Sequence, residues 1–129
     1  MSQMTFAEAE YANKKRKTRR KVFLERMEGL IPRKQLEKKV ARYYANGSGG
    51  RPSYPLSTML RVHCLQLFYN LSDPVMEDAL YEVESMRNFA GPHLDRIPDE
   101  TTIFNFRHLL ERHELGKKLF REINKHLEE

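Results

Sequence analysis

The sequence predicts an all-α fold, a compact bundle of about five to six helices, and three observations support that class. Apolar residues recur three and four positions apart in every long segment, which is the period of an amphipathic helix and not of a strand. Glycine and proline are concentrated in residues 45–55, where they exclude regular structure. The chain has 129 residues, 40% of them hydrophobic, which is enough for one domain with a core of its own.

The first two helices are predicted on either side of Pro32. Phe23, Met27 and Leu30 form the buried stripe of the first helix, and Pro32 ends it because proline cannot continue a helix. A second, shorter amphipathic helix carries its apolar residues at Leu36, Val40, Ala41 and Tyr44. The loop over residues 45–55 follows, with three glycines and two prolines.

The helix after Pro55 is the most hydrophobic one in the chain and is predicted to be the central core helix. Its apolar face consists of Leu56, Met59, Leu60, Cys64, Leu67, Phe68 and Leu71. Asp73 and Pro74 then fit an N-cap followed by a proline at the first helical position. The helix that they open directs Val75, Met76, Ala79, Leu80 and Val83 inward. A short segment at residues 85–91 adds a turn or two and is closed by its glycine.

Two further helices complete the bundle. Asp99 is predicted to cap the first of them, and Glu100 is favourable in its first turn. Helical geometry places Thr102, Ile103, Phe106, Leu109, Leu110 and His113 inward, and Thr101, Asn105, His108 and Arg112 on the opposite side. The last helix closes the bundle with Leu115, Leu119, Phe120, Ile123 and Leu127.

Positive charge is concentrated in residues 14–21, KKRKTRRK, whose seven cations outnumber the net charge of +5 of the whole chain. The cations are Lys14, Lys15, Arg16, Lys17, Arg19, Arg20 and Lys21. Charges at consecutive positions point all round a helix, so this run must face water or a partner. It favours nucleic acid, because cations that reach phosphates release counterions; the alternative is a solvated arm that only aids solubility. We expect a basic N-terminal arm (1–21) and a single α-helical DNA-binding domain (22–129).

The polar side of the helix after Asp99 carries residue types that contact DNA. Asparagine pairs with adenine, arginine with guanine, and threonine with phosphates or thymine methyl groups. We therefore predict DNA contacts from Thr101, Thr102, Asn105, Arg107, His108 and Arg112. A helix that presents such residues from its N-terminal turns is typical of a helix-turn-helix recognition helix. The strict motif joins its helices by three or four residues, whereas residues 85–99 are a longer connection. Either the portion is a looser, helix-turn-helix-like variant or residues 85–91 supply the second helix; an ordinary solvated face is the alternative.

Residues for catalysis or metal binding are not indicated. Asp73, Glu77 and Glu84, or Asp95 and Asp99, could pair for acid/base work or bind a divalent metal. Helix capping is a sufficient role for Asp73 and Asp99, and Glu77 and Glu84 lie outward on a helix. His108 and His113 are turned about 140° from each other on a helix, which does not suit a shared metal ion. There is no glycine-rich phosphate loop and no GxSxG motif. We expect no catalytic residue, no metal and no cofactor. No stretch of about 20 apolar residues and no signal-peptide pattern is present, so we expect a cytoplasmic, nucleoid-associated protein with no membrane partner.

Two long segments, GGRPSYPLSTMLRVHCLQLFYNLSDPVMEDALYEVESMRNFAG and IPDETTIFNFRHLLERH, resemble the N-terminal region of bacterial DDE-class insertion-sequence transposases of the IS-five-like group. The upstream segment MTFAEAEYANKKRKTRRKVFLERMEGLIP resembles the start of that group. The resemblance implies binding to the terminal inverted repeats of double-stranded DNA and a part in subunit assembly. It assigns strand transfer to three acidic residues of an RNase H-like domain with divalent metal. No acidic residue here matches those motifs, so we expect this chain to lack the catalytic domain and not to be an enzyme.

One departure from the family pattern lies at residues 48–53, where SGGRPS is less basic and weakens any phosphate contact expected of Arg51. The predicted function is sequence-specific or semi-specific DNA binding in DNA transposition, without catalysis. The alternatives are an oligomerisation module, acting as a homo-oligomer or as a mixed oligomer that inhibits full-length transposase, and a non-functional remnant.

Overall fold

The computed structural model describes residues 17–46, 54–91 and 96–127. These ranges form seven helices: α1 (Arg19–Leu30), α2 (Arg33–Asn46), α3 (Leu56–Tyr69), α4 (Asp73–Glu82), α5 (Glu84–Ala90), α6 (Glu100–Arg112) and α7 (Leu115–Leu127). The described residues contain no strand, so the all-α class is confirmed. The count of five to six helices is too low, because Val83 has an extended backbone (φ −108°, ψ 102°) and makes α5 a separate helix.

The first helix is capped by the one residue that interrupts the basic run. The Thr18 side chain accepts a hydrogen bond from the backbone N–H of Lys21 at 3.1 Å and so caps α1. Leu24 and Met27 are buried, and the helix ends before Pro32 as predicted. The prediction for Phe23 is wrong, because its ring lies at the surface, edge-on to Phe68 at 5.5 Å between ring centroids.

The third helix is the centre of the bundle, as predicted, and packs against α2, α4, α5 and α6. Its buried residues are Thr58, Met59, Leu60, Val62, Cys64, Leu65 and Gln66. Arg61 links this helix to α1 and α5, since it forms an ion pair with Glu28 of α1 and donates to the Phe89 carbonyl of α5 at 3.3 Å. Leu67 was expected inward, but 38% of it is exposed, because it faces a groove and not the core.

The start of the fourth helix differs by one residue from the prediction. Ser72, and not Asp73, is the N-cap, and its hydroxyl oxygen accepts from the Val75 N–H at 3.4 Å. Asp73 is the first helical residue, and its carboxylate is free to bind elsewhere. Met76 and Leu80 are fully buried as expected, whereas Val75 is 49% exposed because it lies at the edge of the solvent side.

The end of the fourth helix is stabilised by α5. Arg87 donates from Nη1 to the carbonyl oxygens of Leu80 at 3.1 Å and Tyr81 at 3.0 Å. These carbonyls belong to the last turn of α4, where intrahelical partners are missing. The short α5, closed at Gly91, therefore holds the corner between the two helices.

The last two helices close the bundle. Asp99 caps α6 as predicted, since its carboxylate accepts from the Thr102 N–H at 2.8 Å. Ile103, Phe106 and Leu110 are buried on α6, and Leu115, Leu119 and Ile123 on α7. Phe120 and Leu127 were expected inward, but Phe120 is 50% exposed and Leu127 also lies at the surface. None of the helices in the described ranges has the length and hydropathy needed to cross a bilayer.

Candidate nucleic-acid interface

The outer side of α6 presents the four polar residues that the sequence placed there. Thr101, Asn105, His108 and Arg112 are all exposed, which confirms the predicted orientation of this helix. Sequence reasoning missed Phe104, which is 49% exposed and lies in the same stripe. Its ring stacks on His108 at 5.9 Å with an angle of 13° between the planes. The signal was available, since Phe104 is three residues after Thr101 and four before His108. We call these five residues the α6 stripe.

Two carboxylates hold the N-terminus of α6. Besides the Asp99 cap, Glu77 of α4 accepts a hydrogen bond from the Glu100 N–H at 2.6 Å. Hydrogen bonding from the backbone N–H and side chain of Thr102 keeps the pKa of Asp99 below its ordinary value, so this cap stays ionised. Helix N-termini commonly bind phosphate, but here carboxylates accept from two of the free N–H groups, those of Glu100 and Thr102.

Arg107 is bound within the fold. Its Nε donates to Asp73 Oδ1 at 2.8 Å and its Nη2 to Asp73 Oδ2 at 2.7 Å, the two-pronged geometry that favours arginine over lysine. Gln66 of α3 donates to the same carboxylate at 2.8 Å. These bonds, foremost the one from Arg107, lower the pKa of Asp73. The cluster joins α3, α4 and α6, so Arg107 positions the helix that carries the stripe.

The second predicted interface residue that is not fully exposed is Thr102. Its side chain is half-buried and its backbone N–H is used by Asp99. It therefore lies at the boundary between the core side and the outer side of α6, which agrees with its prediction both as an inward residue and as a DNA contact.

The basic segment is divided between described and undescribed residues. Lys14, Lys15 and Arg16 lie outside the described ranges. Lys17 pairs with Glu25 at 2.9 Å, and the Arg20 guanidinium lies 5.7 Å from the centre of the Tyr69 ring. Arg19, Arg20 and Lys21 form the first turn of α1, so three of the seven cations belong to a packed helix.

The two parts of the predicted interface lie on different helices of the bundle. The main packing partner of α1 is α5, whereas α6 packs against α2, α3, α4 and α7. The structure therefore shows a stripe on one helix and a basic first turn on another, joined through the central helix α3.

A groove of about 480 Å³ lies beside α6, between α3 and α7, and the sequence did not indicate it. We call it the α3/α6/α7 groove. His63 is in its wall, and His63 Nδ1 is buried without a hydrogen-bond partner in the described part of the chain. Burial, and then the positive charge of Arg107, lower the pKa of His63 to about 4, so the ring is neutral near pH 7.

Metal-binding groups do not gather in the residues that the structure describes: no three His, Cys, Asp or Glu side chains lie close enough to share an ion. Asp73 and Asp99, two of the acidic residues considered for catalysis, both form hydrogen bonds within the fold, one with Arg107 and one with the first turn of α6.

The fold and the stripe define a small all-helical domain that presents α6 at its surface. Residues 11–109, more than half of the chain, match the family model described as Transposase domain (DUF772), and the chain belongs to that family. Membership relates the protein to DNA transposition and indicates an interaction with DNA. The matched residues include the basic run and α1 to α5, while Arg112 and α7 lie beyond them. No solved structure matches the chain.

Proposed function

We propose that this domain binds double-stranded DNA at the terminal inverted repeats of an insertion sequence, without catalytic activity of its own. The observation that carries the proposal is the α6 stripe, because four residue types suited to base edges and phosphates are exposed together on one side of a capped helix. The parent transposases would be those of the IS-five-like group, with strand transfer performed by a separate DDE domain. Bound to DNA, the protein would be found at the nucleoid.

In this proposal α6 is the recognition helix of a looser helix-turn-helix-like arrangement. Asn105 reads adenine, and Arg112 reads guanine or holds a phosphate. His108, Thr101 and Thr102 contact the DNA around them. Arg107 acts mainly by holding α6 through Asp73, so its loss would weaken binding by displacing the helix.

The basic segment supplies affinity that does not depend on sequence. If all seven cations engaged phosphates, log K would fall with log salt with a slope of about −6. The Lys17–Glu25 pair does not prevent this, since both side chains are about half exposed and such pairs are worth roughly 1 kcal/mol or less. Lys17 can exchange Glu25 for a phosphate at little cost.

Fluorescence anisotropy tests the proposal with duplexes that carry the terminal repeats of a closely related intact element and with scrambled duplexes, across several salt concentrations. We expect tighter binding to the repeats, lost in Asn105→Ala/Arg112→Ala. Gln35→Ala/Lys38→Ala, which removes an exposed amide and an exposed cation from α2, is the matched control and should retain the preference. Equal binding of wild type to both duplexes would contradict specific recognition, and a slope near zero would contradict phosphate binding by the basic segment.

Self-association is a second candidate function, either between copies of this chain or with full-length transposase. Large apolar side chains exposed on α3, α4 and α7 favour it. If the domain neither binds DNA nor self-associates, those results would favour the third alternative, a folded remnant without function.

A further inference from the structure

The α3/α6/α7 groove is lined by apolar and by charged residues, which we call its floor and its rim. Leu67 and Phe120 are exposed at its floor, although their hydrophobic side chains would be more stable out of water. Lys117 and Arg121 of α7 lie at the rim, and neither forms an ion pair with any residue that the structure describes. The rim includes one acid, Glu111, which lies 3.9 Å from Arg107.

The solvent side of α4 has the opposite character. Asp78 and Glu82 are exposed on neighbouring turns, and within the described ranges they have no ion-pair partner. Val75 and Tyr81, which is 60% exposed, add apolar area to the same side. We call these four residues the α4 face. It offers two negative charges and an aromatic ring, where the groove offers positive charges and an apolar floor.

We propose that a second copy of this chain docks here, with the α4 face of one protomer in the α3/α6/α7 groove of the other. Tyr81 covers Leu67 and Phe120, while Asp78 and Glu82 meet Lys117 and Arg121. This inference gives the second candidate function a surface and does not depend on DNA binding.

The start of α4 adjoins the groove. Asp73, the first residue of α4, holds Arg107, which lines the groove. In the proposed dimer each copy uses both surfaces, so the docking is reciprocal and the pair has two-fold symmetry. Complementary charge at the rim then fixes the register of the pair.

DNA is a poorer occupant of this groove than protein. A phosphate backbone would use Lys117 and Arg121, but it would leave the apolar floor of Leu67 and Phe120 without an apolar partner. Aromatic anchors in a pocket with charges at the rim are typical of protein interfaces.

A single tryptophan tests the apolar part of the contact. The chain contains no tryptophan, so Tyr81→Trp introduces the only one. As protein concentration rises to the high micromolar range, we expect its emission to shift to shorter wavelength because the indole leaves water. Phe104→Trp on the α6 stripe is the control and should keep the same emission at all concentrations. A constant emission spectrum of Tyr81→Trp, or an equal shift in both variants, would overturn the proposal.

Charge reversal tests the rim. Sedimentation equilibrium without DNA should show a dimer for wild type, weakened about tenfold or more both in Lys117→Glu/Arg121→Glu and in Asp78→Lys/Glu82→Lys. An equimolar mixture of these two variants should dimerise again, because each supplies the charges that the other now needs. Lys118→Glu/Lys125→Glu makes the same change of charge on α7 outside the groove and should dimerise like wild type.

The mixture also separates lost docking from lost folding, since only folded partners can rescue each other. A monomeric wild type, a monomeric mixture, or a control that weakens as much as the groove variant would each refute the docking. Anisotropy with DNA is measured separately. A dimer that does not bind DNA would contradict the proposed DNA binding but not the docking. A monomer that still prefers the terminal repeats would contradict the docking but not the DNA binding.

Discussion

His63 should make the stability of this fold depend on pH between about 4 and 6.5. Its pKa is lowered from 6.5 to about 4, first because burial disfavours the charged ring and second because Arg107 is positive. The unfolded chain therefore binds a proton to this residue at a pH where the folded chain does not. Stability must rise with pH between these two values, and it is lost as pH falls from about 6.5 towards 4.

The magnitude follows from the same two values. The full shift of His63 corresponds to roughly 3 kcal/mol of unfolding free energy, of which about 2 kcal/mol is lost between about pH 7 and pH 5. In His63→Leu the position cannot titrate, so the pH-dependent contribution of this residue disappears. Asp73 and Asp99 have lowered pKa values, so they change the unfolding free energy in more acid solution. Their contribution is the same in wild type and in His63→Leu.

The assay is urea unfolding of wild type and of His63→Leu, each at about pH 7 and at about pH 5. We expect the unfolding free energy of wild type to fall by about 2 kcal/mol more than that of the variant. A His63 resonance that titrates well below its ordinary pKa in NMR would support the same cause. An identical pH dependence in the two proteins would show that the His63 ring gains a proton as readily in the folded state as in the unfolded one, and would refute the reasoning.

Three other expectations concern single side chains. Arg107→Met should lower the unfolding free energy by roughly 1.5 to 3 kcal/mol, because it removes both hydrogen bonds of Arg107 to the Asp73 carboxylate. Arg112→Met is the control and should cost less than about 0.5 kcal/mol in urea unfolding. Equal losses would contradict the positioning role of Arg107. Asp99→Ala should cost about 1 kcal/mol in the same assay and Asp99→Ser much less, since serine also caps, and two equal losses would rule out capping as the cause. Burial raises the pKa of Cys64 to about 12, so an aromatic disulfide reagent at mildly alkaline pH should label it only as fast as the chain opens. Rapid labelling that is unaffected by urea would contradict this.

Local signals in the sequence were sufficient for most of the secondary structure. Asp99 caps its helix and Pro32 separates the first two helices as predicted, and the 3.6-residue period places Ile103 and Leu110 inward. The outward orientation of Thr101, Asn105, His108 and Arg112 followed from the same period. The predictions that were wrong concern residues at the edge of an apolar face, such as Leu67 and Phe120, which are exposed. A side chain at that edge is buried only if a neighbouring helix covers it.

The sequence by itself determined the all-α class, the position of the helices and the side of α6 that meets solvent, because period, capping and chain breaks act within a few residues. Only the tertiary structure decided what the charged residues do. Arg107 and Asp73 are 34 residues apart, and no spacing rule connects them. Their pair, the neutral ring of His63 and the groove between α3, α6 and α7 exist because packing brings distant segments together and removes water from between them.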